Sequence, residues 1–192
     1  DNNINYFFGG AMEVLDPYIA EGKIVIPSGQ TEKLQVATQG WSTEEAQRRM
    51  EDLISSQGYG PTGKKLDAVM SNNDSIAQGV ANALQGVGGY TAGEGFPLIS
   101  GQDCDITSVK NMIAGTQAMS VFKDTRVLAE QVLGMIQAVL KGEEPEINDT
   151  ESYDNGTGII PSYNCELIDC DINNYESVLL DSGYYTEADL AS

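Results

Sequence analysis

The apolar pattern of this chain changes period repeatedly, from helical spacing to short apolar runs and back again. Ile4, Phe7, Phe8, Ala11, Leu15, Tyr18 and Ile19 recur at steps of three and four, which predicts a helix over the first twenty residues, stopped near Gly22. Residues 23–26 and 34–38 then read as extended runs. Ser42, Thr43, Glu44 and Glu45 have the form of a capping box, and Ala46, Met50, Leu53 and Ile54 supply the buried stripe of the helix it opens.

The alternation continues to the end of the chain. Residues 67–70 form a strand pattern, and Ile76, Val80 and Leu84 mark a helix face that Gly86, Gly88 and Gly89 stop. Residues 96–99 are strand-like, Ile106, Val109, Met112 and Ile113 form a helical stripe, and 117–122 is strand-like again. Asp124 caps a long helix whose stripe is Leu128, Val132, Met135, Ile136 and Val139, closing at Gly142. A polar, acidic stretch over 143–158 reads as a loop, followed by strand-like 159–160 and 166–168 and a short helix around 175–180. Strands alternating with helices dictate right-handed βαβ units, hence a doubly wound α/β domain with a mostly parallel sheet.

Composition removes several classes of function. Ten Lys and Arg against 29 Asp and Glu give a net charge of −19, which repels phosphate backbones and argues against nucleic acid as a partner. Histidine is absent, so Ser-His-Asp and Cys-His catalysis and nearly every common zinc site are excluded, and nothing calls for a metal or a cofactor. No apolar run approaches the roughly 20 residues that span a bilayer. The chain starts at Asp1 without Met or a leader pattern, which creates the expectation of an upstream region. Of the three cysteines, Cys165 and Cys170 stand five apart with a strand-like run between them that holds them apart, and the odd count leaves the redox compartment open.

In an open α/β sheet ligands bind beyond the carboxyl ends of the strands. The side chains placed there are Trp41, Asn73, Asp103 and Lys123. Taken singly, each has an ordinary structural use: a rim filler, a helix cap, a loop carboxylate, a solvated ammonium beside Asp124. Taken together, an aromatic plate, an amide, a carboxylate and an ammonium suit a neutral polyol, whose C–H face stacks on indole while planar polar groups hold its hydroxyls.

Asp1-Asn2-Asn3 opening a helix, Trp41-Ser42-Thr43 before another, Ser71 to Asp74 after a strand, Gly101-Gln102-Asp103, Phe122 to Thr125 and Pro161-Ser162-Tyr163 follow one another in order. In this order they resemble the carboxyl-terminal half of periplasmic-type monosaccharide-binding proteins of ABC transporters, the galactose, glucose, xylose and multiple-sugar-binding group. The resemblance covers nearly the whole chain. It implies a type I periplasmic-binding-protein lobe with flavodoxin-like strand order, and a site in which Trp41 stacks on a pyranose, Asn73 and Asp103 hold hydroxyls, Lys123 reaches a ring or hydroxyl oxygen, and Asn3 adds an amide from the first helix. Asn5 stands where related ribose and galactose binders carry Arg, and the calcium loop of the galactose binder would lie upstream.

The resemblance further implies that residues 1–192 are one sugar-binding lobe of a longer protein. The segment 124–163 would cross the hinge and pack on an amino-terminal lobe that this chain lacks. The expected function is capture of a monosaccharide outside the membrane and its delivery to an ABC permease. The alternatives are a sugar-sensing partner of a membrane sensor kinase and the effector domain of a repressor. Glycosidase chemistry would need two tuned carboxyls about 5–10 Å apart, and no acidic pair here has an evident pocket to tune it, so an enzyme is not expected. With flavodoxin-like order, the strand that precedes Asp1 would fill a slot inside the sheet.

Overall fold

A computed structural model describes residues 1–191. They form two compact units, one made of Asp1–Val121 with the segment from Cys170 onward, the other of Phe122–Asp169. Along the chain run α1 (Asn3–Ala20), α2 (Lys33–Val36), α3 (Thr43–Gln57), β1 (Ala68–Val69), α4 (Asp74–Gln85), β2 (Leu98–Ile99), α5 (Ile106–Ala114), β3 (Met119–Phe122), α6 (Thr125–Lys141), β4 (Ile168–Asp171) and α7 (Glu187–Ala191).

β1 and β2 are parallel, Ala68 opposite Leu98 and Val69 opposite Ile99. Amides of Ala118 and Val121 donate to the carbonyls of Ile99 (2.9 Å) and Gly101 (3.1 Å), and a parallel bridge joins Gln102 to Val121, so the same direction extends to β3. β3 in turn pairs with β4. This is the α/β alternation that the periodicity predicts, with strands much shorter than the apolar runs that encode them.

The core of the first unit lies where α3 and α4 pack on β2. Met50, Ile54, Ala77, Val80, Ala81, Leu84 and Ile99 are buried there, each large side chain contributing roughly 1.5–3 kcal/mol by leaving water. Gly79 sets the closeness of the two helices, since a β-carbon there would collide with the Thr43 carbonyl of α3. Half of the expected capping box opens α3: Ser42 Oγ accepts from the Glu45 amide at 3.2 Å, while the Glu45 carboxylate turns to Arg48 at 2.7 Å. Asn73 caps α4 in the same way, accepting from Ile76 at 3.0 Å.

Several expected elements differ. Residues 23–26 are a turn and irregular chain, with Val25 72 % exposed. The run 34–38 is mostly helical, its first three residues lying in α2, with Leu34 88 % exposed. A strand needs a neighbour to satisfy its amides, and none of the described strands lies beside either run. Residues 32–36 satisfy themselves instead through a reciprocal capping box between Glu32 and Gln35. Residues 159–160 join a small hairpin in the second unit through an antiparallel bridge from Asp154 to Ile159. β4 begins only at Ile168, which puts Cys170 inside a strand rather than after one. The predicted face of α1 is the right one, but none of its residues is fully buried, because an open cavity lies beneath it.

Within the second unit, Asp124 caps α6 as expected, accepting from the Arg126 amide at 2.9 Å, and Gly142 ends it with φ of +77°. Its stripe is nevertheless uncovered: Leu128, Val132, Ile136 and Val139 are all exposed.

Candidate functional site

A cavity of about 540 Å³ opens in the first unit beneath α1. Ile4, Phe8, Leu15 and Met70 make its apolar floor, and Asp1, Trp41, Ser71 and Asn72 bring polar atoms to it. Among the described strands none pairs with the outer edge of β1, which ends at this cavity.

Trp41 reaches the cavity from a 3₁₀ turn, Gln39–Trp41, and not from a strand end. The turn reverses tightly because Gly40 and Trp41 are both left-handed, with φ of +65° and +55°. Arg49 of α3 holds the chain leading into it, donating to the carbonyls of Gln35 (2.7 Å), Val36 (2.7 Å) and Ala37 (2.9 Å) and to Thr38 Oγ1 (3.0 Å). Burial pulls the Arg49 guanidinium below its ordinary value, with Arg48 adding to the effect, yet an arginine starts so high that it stays charged. The indole Nε1 of Trp41 donates to the Asp1 carboxylate at 3.0 Å, and its ring meets Phe7 edge-on at 6.0 Å. The same Asp1 carboxylate accepts from the backbone N–H of Asn3 at 2.8 Å, so Asp1 joins the start of α1 to Trp41.

Asn73 and Asp103 lie on the segments that follow the adjacent parallel strands β1 and β2, and Asp74 ties those segments together through Gln102 and Asp105. The Asp74 amide donates to the Gln102 carbonyl at 3.0 Å, and Gln102 Nε2 donates to the Asn72 carbonyl at 3.3 Å. The Asp74 side chain, 1 % exposed, accepts from Ser120 Oγ (2.8 Å), Gln117 Nε2 (3.0 Å) and the Asp105 amide (2.8 Å). Burial pushes its carboxyl up to about 6 against the pull of these three donors. Gly101 makes room for the arrangement, because a β-carbon there would strike Asp74 and Gln117.

The loop so anchored carries backbone strain. Asp103 and Cys104 have φ of +104° and +52°, conformations that cost a non-glycine residue about 1–3 kcal/mol each. The conformation is held by Asp103 N–H on the Val121 carbonyl (2.9 Å), Cys104 N–H on Ser120 Oγ (3.0 Å) and Tyr185 O–H on the Cys104 carbonyl (3.0 Å). Burial, and secondarily Asp103, raises the Asp105 carboxyl.

The residues singled out from sequence thus fall into three groups. Asn3 and Trp41 share Asp1, Asn73 and Asp103 share the Asp74 junction, and Lys123 belongs to the second unit. Asn73 spends its Oδ1 on the helix cap and keeps its Nδ2 for another acceptor. Arg49, Asp74 and Ser71 are not among the site residues expected from sequence, although Ser71 and Asp74 bound one of the motifs that carry the resemblance. Ser71 Oγ is buried without a partner among the described residues, and nothing in a Ser-Asn-Asn run marks it out. Asp74 could have been noticed as an acidic residue two places before an apolar helix stripe, but its three partners come from 31 to 46 residues away. Among the described residues no group of Cys, Asp or Glu side chains is arranged to hold a metal ion.

Residues 1–144 match the family described as periplasmic binding protein domain. The chain belongs to this periplasmic binding protein family. It is 45 % identical to the multiple sugar-binding periplasmic receptor ChvE of Rhizobium radiobacter, over 96 % of this chain and 51 % of that protein. It is 34 % identical to the D-xylose-binding periplasmic protein of Escherichia coli, over 99 % of this chain and 52 % of the other. A solved ABC transporter solute-binding protein of Clostridium phytofermentans with bound β-D-glucose superposes with a TM-score of 0.90 at 55 % identity, covering 99 % of this chain and 57 % of that one. The chain spans about half the length of the curated relatives it matches. Its doubly wound α/β architecture is that of a periplasmic-binding-protein lobe of type I, as the resemblance implies.

Proposed function

We propose that this chain is the sugar-gripping lobe of a longer extracytoplasmic solute-binding protein that captures a monosaccharide and presents it to an ABC permease. Trp41 stacks on the C–H face of the pyranose; Asn3, Asn73, Asp103 and Lys123 hold its hydroxyl or ring oxygens. A carboxylate accepting from two hydroxyls contributes roughly 1.5–3 kcal/mol per charge-assisted bond, which makes Asp103 the strongest single grip. The role is non-catalytic. The relatives named above are sugar-binding transport proteins, and that likeness, together with the absence of histidine, supports binding without turnover.

The observation that carries the reading is the way polar side chains gather at the carboxyl end of β1, with Trp41 on the same cavity as Ser71 and Asn72, and Asn73 pinned to the Asp103 loop. The apolar floor of that cavity has a second use. Ile4, Phe8, Leu15 and Met70 forfeit part of the roughly 1.5–3 kcal/mol each would contribute when buried, beside a strand edge with no described partner. A strand from the missing part of the protein seats there, and the exposed stripe of α6 packs on its amino-terminal lobe. Isothermal titration of the full-length protein with glucose, xylose, galactose and arabinose tests the function. Binding of at least one in a one-to-one ratio, weakened by Trp41→Ala, is the expected result. No heat with any of them refutes it.

A further inference from the structure

Cys104 and Cys170 come from segments far apart in the chain, yet both side chains are fully buried in the first unit. Cys104 is fixed to β3: its amide donates to Ser120 Oγ at 3.0 Å and its Sγ lies 3.5 Å from the Ser120 carbonyl oxygen. Cys170 sits in β4, the partner of β3, as the one buried residue of that strand. β3, to which Cys104 is fixed, pairs with β4, which carries Cys170, so the two buried thiols are set beside the same strand pair; each is the foremost influence on the other, raising the Cys104 thiol and lowering that of Cys170. Cys165, by contrast, belongs to the second unit and is half-buried.

We infer that Cys104 and Cys170 form a disulfide when the protein folds in an oxidising compartment, clamping the strained loop that carries Asp103 to the strand by which the chain re-enters the first unit. Two thiols lose two protons and two electrons as the S–S bond forms. A disulfide-class oxidant such as oxidised glutathione accepts the electrons and is cleaved to two thiols. The closed loop contains the whole of the second unit, and long loops are the ones whose closure removes most freedom from the unfolded chain. Buried cysteines also serve as small apolar fillers, with no bridge and no response to redox conditions. These two uses differ in what a reductant does.

The test uses the full-length protein refolded with oxidised glutathione, denatured in N-ethylmaleimide to block free thiols, and digested with trypsin and Glu-C. Cleavage after Glu166 separates Cys165 from Cys170. The expected product is a peptide pair linked through Cys104 and Cys170. Reductant should lower the apparent Tm of this protein by about 5 °C or more, and should leave unchanged that of a Cys104→Ser, Cys170→Ser double variant. Quantitative alkylation of both cysteines, a link from either to any other cysteine, or a Tm insensitive to reductant would each overturn the inference. If the double variant does not fold, the peptide map and the reductant response of the parent protein still decide.

Discussion

Asp74→Asn separates two opposed effects at the junction beneath the Asp103 loop. The amide is nearly isosteric, so no cavity opens. Oδ1 accepts from both Ser120 and Gln117 while Oδ2 accepts only from the Asp105 amide, so the substituted side chain keeps its oxygen on the first pair. Its NH₂ then faces the Asp105 N–H, one hydrogen bond is lost and a buried donor is orphaned, at about 1–3 kcal/mol. Against this, the variant buries no charge. The parent carboxyl moves from 3.8 to about 6 on folding, so burying it ionised at neutral pH costs about 3 kcal/mol at roughly 1.4 kcal/mol per pH unit. The two roughly cancel at pH 7. The folded parent binds a proton between pH 4 and 6 that the unfolded chain does not. The stability this contributes is complete below about 3.8 and is lost as pH rises through about 6. Urea unfolding of parent and variant, both full-length, at pH 5, 6 and 7 reads the difference, and subtraction cancels the other carboxylates. The stability of the parent relative to Asp74→Asn should fall by about 1 kcal/mol from pH 5 to pH 7. A difference that stays flat or rises over this range would refute the claim that burial outweighs the three donors.

Other consequences can be measured on the same protein. Trp41→Ala should weaken sugar binding about tenfold or more in calorimetry while lowering stability by only about 1 kcal/mol, because the ring is half-exposed and is held by an edge contact with Phe7 and an exposed hydrogen bond to Asp1. Asp103→Asn tolerates the left-handed backbone, so a loss of about 10- to 150-fold in affinity with Tm nearly unchanged would isolate the carboxylate, and an unaltered affinity would remove Asp103 from the site. Arg49→Met strips the donor from three carbonyls ahead of Trp41; the expected signs are a red-shifted, more quenchable Trp emission and weaker sugar binding, with α3 intact by circular dichroism. The chain of residues 1–192 alone should bind monosaccharides weakly or not at all, since one wall cannot enclose the roughly 70–90 % of a small ligand that a closed site buries. Full-strength binding by the isolated chain would contradict the two-lobe reading.

What was legible in the sequence was what local forces decide. The stripes of α3 and α4, the stripe of α5 apart from the exposed Ile113, and the caps at Ser42, Asn73 and Asp124 form as read, because a helix satisfies its amides within itself and a cap acts over three residues. Strands are another matter. Residues 23–26 and 34–38 have the composition of strands, but a strand is a relation between two segments, and in this chain the described residues supply no partner. A sequence pattern reports which segments could pair, while the presence of the partner decides whether they do. The run 34–38 also contained the alternative within itself, since Glu32 and Gln35 are spaced for a reciprocal cap.

The candidate site divides along the same line. Asn73 and Asp103 were legible because they follow β1 and β2, a placement that topology sets and periodicity encodes, whereas Trp41 stands on a 3₁₀ turn where periodicity predicts the end of a strand. Asp74 was not legible, because its role depends on Gly101, Gln117 and Ser120 converging from other loops, and no spacing within the chain signals that convergence. The hidden residue explains the visible one. Asp103 stands at a φ of +104° that a side chain disfavours, and it stays there because the Asp74 carboxylate grips Asp105 from below while β3 grips Asp103 and Cys104 from the side. A buried acid with its carboxyl raised to about 6 is a destabilising element at neutral pH, and the strained loop is another. Coupled through one hydrogen bond of 2.8 Å, they hold a second carboxylate in a fixed direction, and in the proposed role of Asp103 as a sugar ligand this preorganisation lowers the ordering cost of binding. That is a reason for a marginally stable fold to keep both.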